Sequence, residues 1–292
     1  MPHYIGMDIG GTKIEGILVD EKLKVLKKCQ LPTLAKQKKE ATINNIVAVA
    51  KQLMTKNVKG IGISMAGRIN RKGITTFNPN IPRLVGMNTK QLLQKKLKTR
   101  IAIENDAVCF ALAEHRMGAG KGTRNMIGMI IGTGIGTGLI IDGRLYKGNG
   151  GAGELGHTTI DPSGPRCGCG KKGDLESWCS GKHIVERYIA AGGKLRSPEP
   201  AKIFASKEKT ARKVMAETID KLGMGLANMT AAFDPDAIVL GGGISNLPFY
   251  AQIRAAAEKY KYKGQKSRTK IIKGKLKSAG AIGATLLALQ LQ

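Results

Sequence analysis

The sequence predicts an α/β protein built as two related domains with a cleft between them. Two observations carry this prediction: a strand, Gly-rich turn, strand opening that occurs twice, and the helix-then-strand units that follow each opening. A length of 292 residues is too long for one compact core and suits two domains of ordinary size.

In the first half, apolar runs at 4–9 and 14–19 flank Gly10-Gly11-Thr12-Lys13, which reads as a β-hairpin with a glycine-rich tip. Between 41 and 54 the apolar positions Ile43, Ile46, Val47, Ala50, Leu53 and Met54 recur at helical spacing. Strands follow at 58–63 and 101–104. The second runs straight into a helix over 107–116, with Val108, Ala111 and Leu112 as its buried stripe. The pattern then restarts, with strands at 126–131 and 138–141 around the Gly-rich run 132–138 and a turn at Asp142-Gly143. A long helix spans 208–233, a strand 237–240 leads into Gly241-Gly242-Gly243, and an Ala/Leu-rich helix closes the chain from 279. The expected domains are 1–118, completed by the C-terminal helix 280–292, and 119–279; the glycine- and lysine-rich stretch 117–124 is the candidate hinge.

Hydrophobic residues make up 42% of the chain, enough for a packed interior and against wholesale disorder. The 39 glycines cluster in short loops without a collagen-like period, as expected where backbone approaches a ligand. No run reaches the roughly 18 apolar residues that span a bilayer, and 1–11 lacks the pattern of a targeting segment, so a cytoplasmic protein without membrane attachment is expected. Five cysteines, three of them (Cys167, Cys169, Cys179) near a Gly-rich segment, fit a reducing compartment and a metal site better than a disulfide framework. The formal charge of +27 draws anions and could hold nucleic acid non-specifically. Its densest run, 259–277, interleaves Tyr260 and Tyr262 with lysines but reads as a solvated face, because lysine is abundant along the whole chain.

Three glycine loops carry the chemistry. Asp8 at a strand end beside Gly10 and Gly11 lets backbone N–H groups meet a phosphate while the carboxylate faces a metal. This is not a Walker loop, whose G-x-x-x-x-G-K-[ST] pattern is absent. The run 132–138 repeats the arrangement in the other half, so the two loops together suit a polyphosphate. Gly241-Gly242-Gly243 follows a buried strand and admits a flat ligand close to the backbone. Glu104-Asn105-Asp106 stands where a strand meets a helix. There an Asn-Asp pair fits two roles, a helix N-cap or a substrate amide beside the base that phosphoryl transfer requires.

These motifs, in this order, resemble the ROK family (repressors, open reading frames, kinases) of the sugar kinase, actin and heat-shock-chaperone superfamily. The resemblance rests on DIGGTK at 8–13, END at 104–106, IGTGIGTG from Ile131, GGAGELGH from Gly150, CGCGKKGDLES from Cys167 and LGGGIS from Leu240. It implies two actin-like (ribonuclease H-like) domains flanking an active-site cleft, and a cytoplasmic ATP-dependent kinase for the 6-hydroxyl of a hexose, glucose first. Fructose, mannose or an N-acetylhexosamine are the alternative substrates. Asp8 would then help hold Mg²⁺, with Gly10, Gly11, Thr12 and Lys13 at the phosphates, Thr133 and Gly134 at the γ/β end, and Gly242 and Gly243 beside the adenosine. Asn80, Asn105, Asp106, Glu154, His157 and Glu176 would bind the sugar, with Asp106 taking the proton. The resemblance also implies a homodimer.

The family's structural zinc site combines one histidine with three cysteines. His157, Cys167 and Cys169 match it, but Asp174 stands at the last cysteine position. A His-Cys-Cys-Asp tetrahedron is chemically allowed. Cys179 is a substitute ligand if the loop bends back, and a metal-free loop held by packing is the other alternative. Two further classes of function stay in view. A sugar-responsive transcription regulator would carry a winged helix-turn-helix ahead of the first phosphate hairpin, and Asp8 is read as leaving no room for one. A non-catalytic sugar binder would not need Asp106.

Overall fold

The computed structural model describes residues 1–70 and 72–291. The chain forms two compact units. One contains residues 1–113, the short stretch Lys147–Gly151 and the C-terminal stretch from Leu276; the other contains Glu114–Tyr146 and Ala152–Lys275.

The first unit comprises β1 (His3–Ile9), β2 (Lys13–Asp20), β3 (Val25–Pro32), α1 (Lys39–Leu53), β4 (Val58–Met65), the small pair β5 (Arg68–Ile69) and β6 (Thr75–Phe77), α2 (Thr89–Leu97), β7 (Ile101–Asn105) and the start of α3 (Asp106–Met117). Its five-stranded sheet has the order β3-β2-β1-β4-β7. The β1, β4 and β7 strands run parallel, while β2 and β3 are antiparallel additions.

The second unit contains β8 (Met126–Ile131), β9 (Ile135–Ile141), β10 (Arg144–Tyr146), α4 (Leu175–Cys179), α5 (Gly181–Ala190), α6 (Pro200–Ala205), α7 (Lys209–Phe233), β11 (Ala237–Gly241), α8 (Tyr250–Lys259) and β12 (Lys270–Lys273). Its sheet order, β10-β9-β8-β11-β12, repeats the first, with β8, β11 and β12 parallel and β9 and β10 antiparallel. The doubled opening read from the sequence is thus a doubled sheet topology.

The last helix, α9 (Ala279–Leu289), packs on β1 and β4 of the first unit. Alternation along β1 explains the layering, since successive side chains of a strand face opposite sides. Ile5, Met7 and Ile9 join the core beneath α1, whereas Tyr4 packs with Ala281 and Ala288 of α9. Helix and sheet meet backbone to backbone here: a Cβ on Gly62 would overlap the Ala284 carbonyl.

Most predicted elements appear within a residue or two of their expected ends. Three differ. The 132–138 loop is shorter than expected: β9 already begins at Ile135, and Gly136 and Gly138 pair with Ile130 and Gly128 of β8. The edge strand β3 was not predicted; six of its eight residues are exposed, so no apolar alternation marks it. The lysine-rich run is not one solvated face, because α8 ends in it, β12 lies inside it and Ile271 is buried. Tyr260 donates its hydroxyl to Asp220 at 2.6 Å. No helix among the described residues is long and apolar enough to cross a membrane.

Candidate active site

In the first unit the parallel register sets Asp8 beside Ser64 and Ser64 beside Glu104, so the carboxyl ends of β1, β4 and β7 share one edge. Ligands of open α/β sheets bind at such edges. Asp8 is seated by the Ser64 hydroxyl, which donates to its Oδ1 at 2.6 Å. The Gly10–Thr12 turn is pinned from β3's end, where the Thr33 amide donates to the Thr12 carbonyl at 2.9 Å and its hydroxyl to Gly10 at 2.6 Å. Asn80 lies against this turn; a Cβ on Gly11 would touch it at 3.4 Å. The Lys13 ammonium is exposed and sits 3.8 Å from Glu15.

Asn105 fills the cap role that the Asn-Asp pair allows. Asn105 caps α3, accepting the Ala107 and Val108 amides at 2.8 and 3.3 Å, and its Nδ2 donates to the Gly67 carbonyl at 2.8 Å. Asp106 is the first helical residue, with Oδ1 3.0 Å from the Ala107 amide. Burial, reinforced by the Asp8 charge, pushes its pKa up to about 6. Burial raises Asp8 as well, partly offset by Ser64. Two carboxyls whose ionisation burial disfavours, Asp106 further opposed by the Asp8 charge, form a place where a divalent cation is welcome. Glu104 is paired with Lys147 at 2.6 Å.

In the second unit, β8 ends at Ile131 and the neighbouring β11 at Gly241, so Thr133, Gly134, Gly242 and Gly243 follow adjacent strand ends. The turn is closed by Gly132 N–H on the Gly134 carbonyl at 2.9 Å. Gly242 has φ +83°, a conformation glycine adopts without strain. Glu154 is exposed and opens the short turn Leu155–His157; the buried Thr137 hydroxyl holds that turn through the Gly153 carbonyl.

His157 Nδ1, the thiols of Cys167 and Cys169 and a carboxylate oxygen of Asp174 all lie within 4.8 Å of one another. Asp174 Oδ2 is 3.0 Å from His157 Nδ1 and 3.3 Å from Cys169 Sγ, while its Oδ1 caps α4 through the Ser177 amide at 2.8 Å. Burial pushes the Asp174 carboxyl up, but hydrogen bonds from Cys167, the Ser177 amide, His157 and Cys169 outweigh it and hold it below the usual range. An ionised oxygen, an imidazole nitrogen and two sulfurs in one group suit a tetrahedral zinc ion. Asp174, not Cys179, is the fourth member. Cys179 is buried with its thiol on the Thr218 carbonyl at 3.5 Å, and burial drives its pKa far up. His157 presents Nδ1 to this cluster. Purified without a polyhistidine tag, the protein is expected to contain about one zinc per chain, and Asp174→Ala to lose it while Asp174→Cys keeps it; metal analysis giving far less than one in the wild type contradicts this.

Sequence reasoning missed Ser64, Thr137 and Gly280. A Cβ on Gly280, the second residue of α9, would stand 2.5 Å from Asp8 Cγ. These residues belong to the site only through contacts distant in sequence, so no local pattern marks them.

A family model described as the ROK family matches residues 4–291. The chain is 34% identical over 260 residues to a glucokinase of Thermotoga maritima, covering 82% of each. It is 32% identical over 265 residues to an N-acetyl-D-glucosamine kinase of Photobacterium profundum, covering 85% of this chain and 86% of the relative. A ROK hexokinase crystal structure from Thermus thermophilus superposes with a TM-score of 0.89 at 31% identity, covering 99% of this chain and 98% of the other. On this match of nearly the whole chain, the protein belongs to the ROK family.

Proposed function

We propose that this chain is an ATP-dependent hexose kinase that phosphorylates the 6-hydroxyl, with glucose as the leading substrate. The observation that carries the reading is Asp106: a half-buried carboxyl with a pKa of about 6, beside the cap residue Asn105 and raised further by the Asp8 charge. A general base works best when its pKa lies just below the working pH. Relatives named glucokinase support the substrate class, and the N-acetylglucosamine kinase supports the alternative of an acetylated hexosamine.

The residues divide the work. Asn80 and Asn105 orient the sugar from the first unit, and Asp106 accepts the proton of the 6-hydroxyl. The freed oxygen forms a bond to the γ-phosphorus of ATP as the bond to the ADP oxygen breaks. Asp8 would hold Mg²⁺, which neutralises charge on the phosphates. Backbone amides of Gly10, Gly11 and Thr12, and of Thr133 and Gly134 in the second unit, receive the phosphate oxygens, with Gly242 and Gly243 beside the adenosine. Glu154, His157 Nε2 and Glu176 accept or donate to the ring hydroxyls, contacts that a deoxy-analogue would leave unpaired. Zinc on His157, Cys167, Cys169 and Asp174 would be structural, fixing the direction of His157 and the start of α4.

A coupled assay of ADP release over glucose, mannose, fructose, N-acetylglucosamine and N-acetylmannosamine tests the reading. Sugar-dependent release is expected, greatest with glucose. Release that no sugar stimulates would defeat the enzyme reading, and greatest release with an N-acetylhexosamine would select the alternative.

A further inference from the structure

Glu176 has two partners that a sugar ligand does not need. Its Oε2 accepts the Ile135 N–H at 2.7 Å, and its Oε1 lies 3.4 Å from the Cys167 sulfur. Ile135 is the first residue of β9 and closes the Gly132–Gly134 turn. A Cβ on Gly134 would come within 2.6 Å of Glu176 Oε2, so the loop has a glycine where the carboxylate rests on it. The same α4–α5 segment holds the other end of the turn, since the Gly181 N–H donates to the Gly132 carbonyl at 2.7 Å. Glu176 is itself placed by α4, whose cap Asp174 also faces His157 and Cys169. A continuous set of contacts therefore runs from the Cys-rich loop to the Gly132–Ile135 loop inside one unit.

We propose that Glu176 is a positioning residue for the Gly132–Ile135 loop, fixing the backbone that is to receive a triphosphate, in addition to any contact it makes with a sugar. The physical basis is that an amide bound to a carboxylate is held more firmly than one bound to a neutral acceptor. A short Gly-rich turn otherwise orders itself at high entropic cost. The identity of the loop's ligand rests on the kinase reading; the loop's dependence on Glu176 does not.

The test follows amide hydrogen exchange at Ile135 in the full chain, together with calorimetric titration by a non-hydrolysable ATP analogue without sugar. In Glu176→Ala, exchange at Ile135 is expected to rise about tenfold or more while β8 and α7 amides stay as in the wild type, and the analogue to bind about tenfold more weakly. Glu176→Gln, whose neutral amide oxygen can still accept, is expected to restore part of both while its sugar KM remains raised. Gly134→Ala, which pushes the carboxylate aside without removing it, should also speed exchange at Ile135 and serves if Glu176→Ala does not fold. Unchanged Ile135 exchange and unchanged analogue affinity in the variants, with only the sugar KM raised, would overturn the proposal. A wild type that binds no analogue would overturn the kinase reading instead, and the exchange data would still decide the role of Glu176.

Discussion

Asp106→Asn is expected to lower kcat by roughly 10²–10⁴-fold while leaving sugar affinity within a few-fold, because the change removes proton transfer and keeps the shape. The same variant is expected to be more stable than the wild type at pH 8. Folding raises the Asp106 pKa from 3.8 to about 6, so the folded state favours the protonated form. The stability that this group contributes is present in full below pH 3.8 and is lost as pH rises through about 6. Asparagine imitates the neutral acid at every pH. Thermal melts should therefore show the variant ahead at pH 8, with the gap closing as pH falls through 6. Wild-type kcat/KM should fall over the same interval, since the base must be ionised to act. A variant with undiminished kcat would remove Asp106 from the reaction, and one that melts below the wild type at pH 8 would contradict the burial argument.

Gly62→Ala is expected to destabilise the protein by about 3 kcal/mol, the upper end of the usual cost of overpacking. Gly62 pairs with Gly6 in the β1–β4 register, and the two glycines form the seat of α9. The obstacle is the Ala284 carbonyl, part of the backbone and unable to rotate away, so the helix has to lift. For a chain of this size that cost corresponds to a melting temperature lower by roughly 6–12 °C. Activity should fall as well, because Gly280 of the same helix lies against Asp8. A melting temperature within one degree of the wild type would show that α9 does not sit on Gly62.

Legibility followed burial pattern and sequence distance. The α1 and α7 helices announce themselves because their buried residues recur at helical spacing, and β1 and β11 because they are apolar runs ended by glycine. By contrast β3 and β12 present mainly lysines and other exposed residues, with pairing supplied by a neighbouring strand rather than by their own pattern. The candidate site was readable where its chemistry is local, as in the Gly-rich turns and Glu104-Asn105-Asp106. Only the structure divides that last motif into a cap, Asn105, and an acid, Asp106. Asp174 is a related case. Its cap role follows from its place before α4, yet its second oxygen meets His157 through a fold-dependent approach. Ser64, 56 residues from Asp8 in sequence, shows no local sign of seating it.

The central claim, phosphoryl transfer to a sugar 6-hydroxyl with Asp106 as base, is tested most directly by product NMR. Wild-type protein incubated with ATP, Mg²⁺ and carbon-13-labelled glucose should yield a phosphate ester whose phosphorus couples to C6, and Asp106→Asn should yield almost none in the same time. An ester at another carbon, no ester on any hexose, or equal product from the variant would contradict the account.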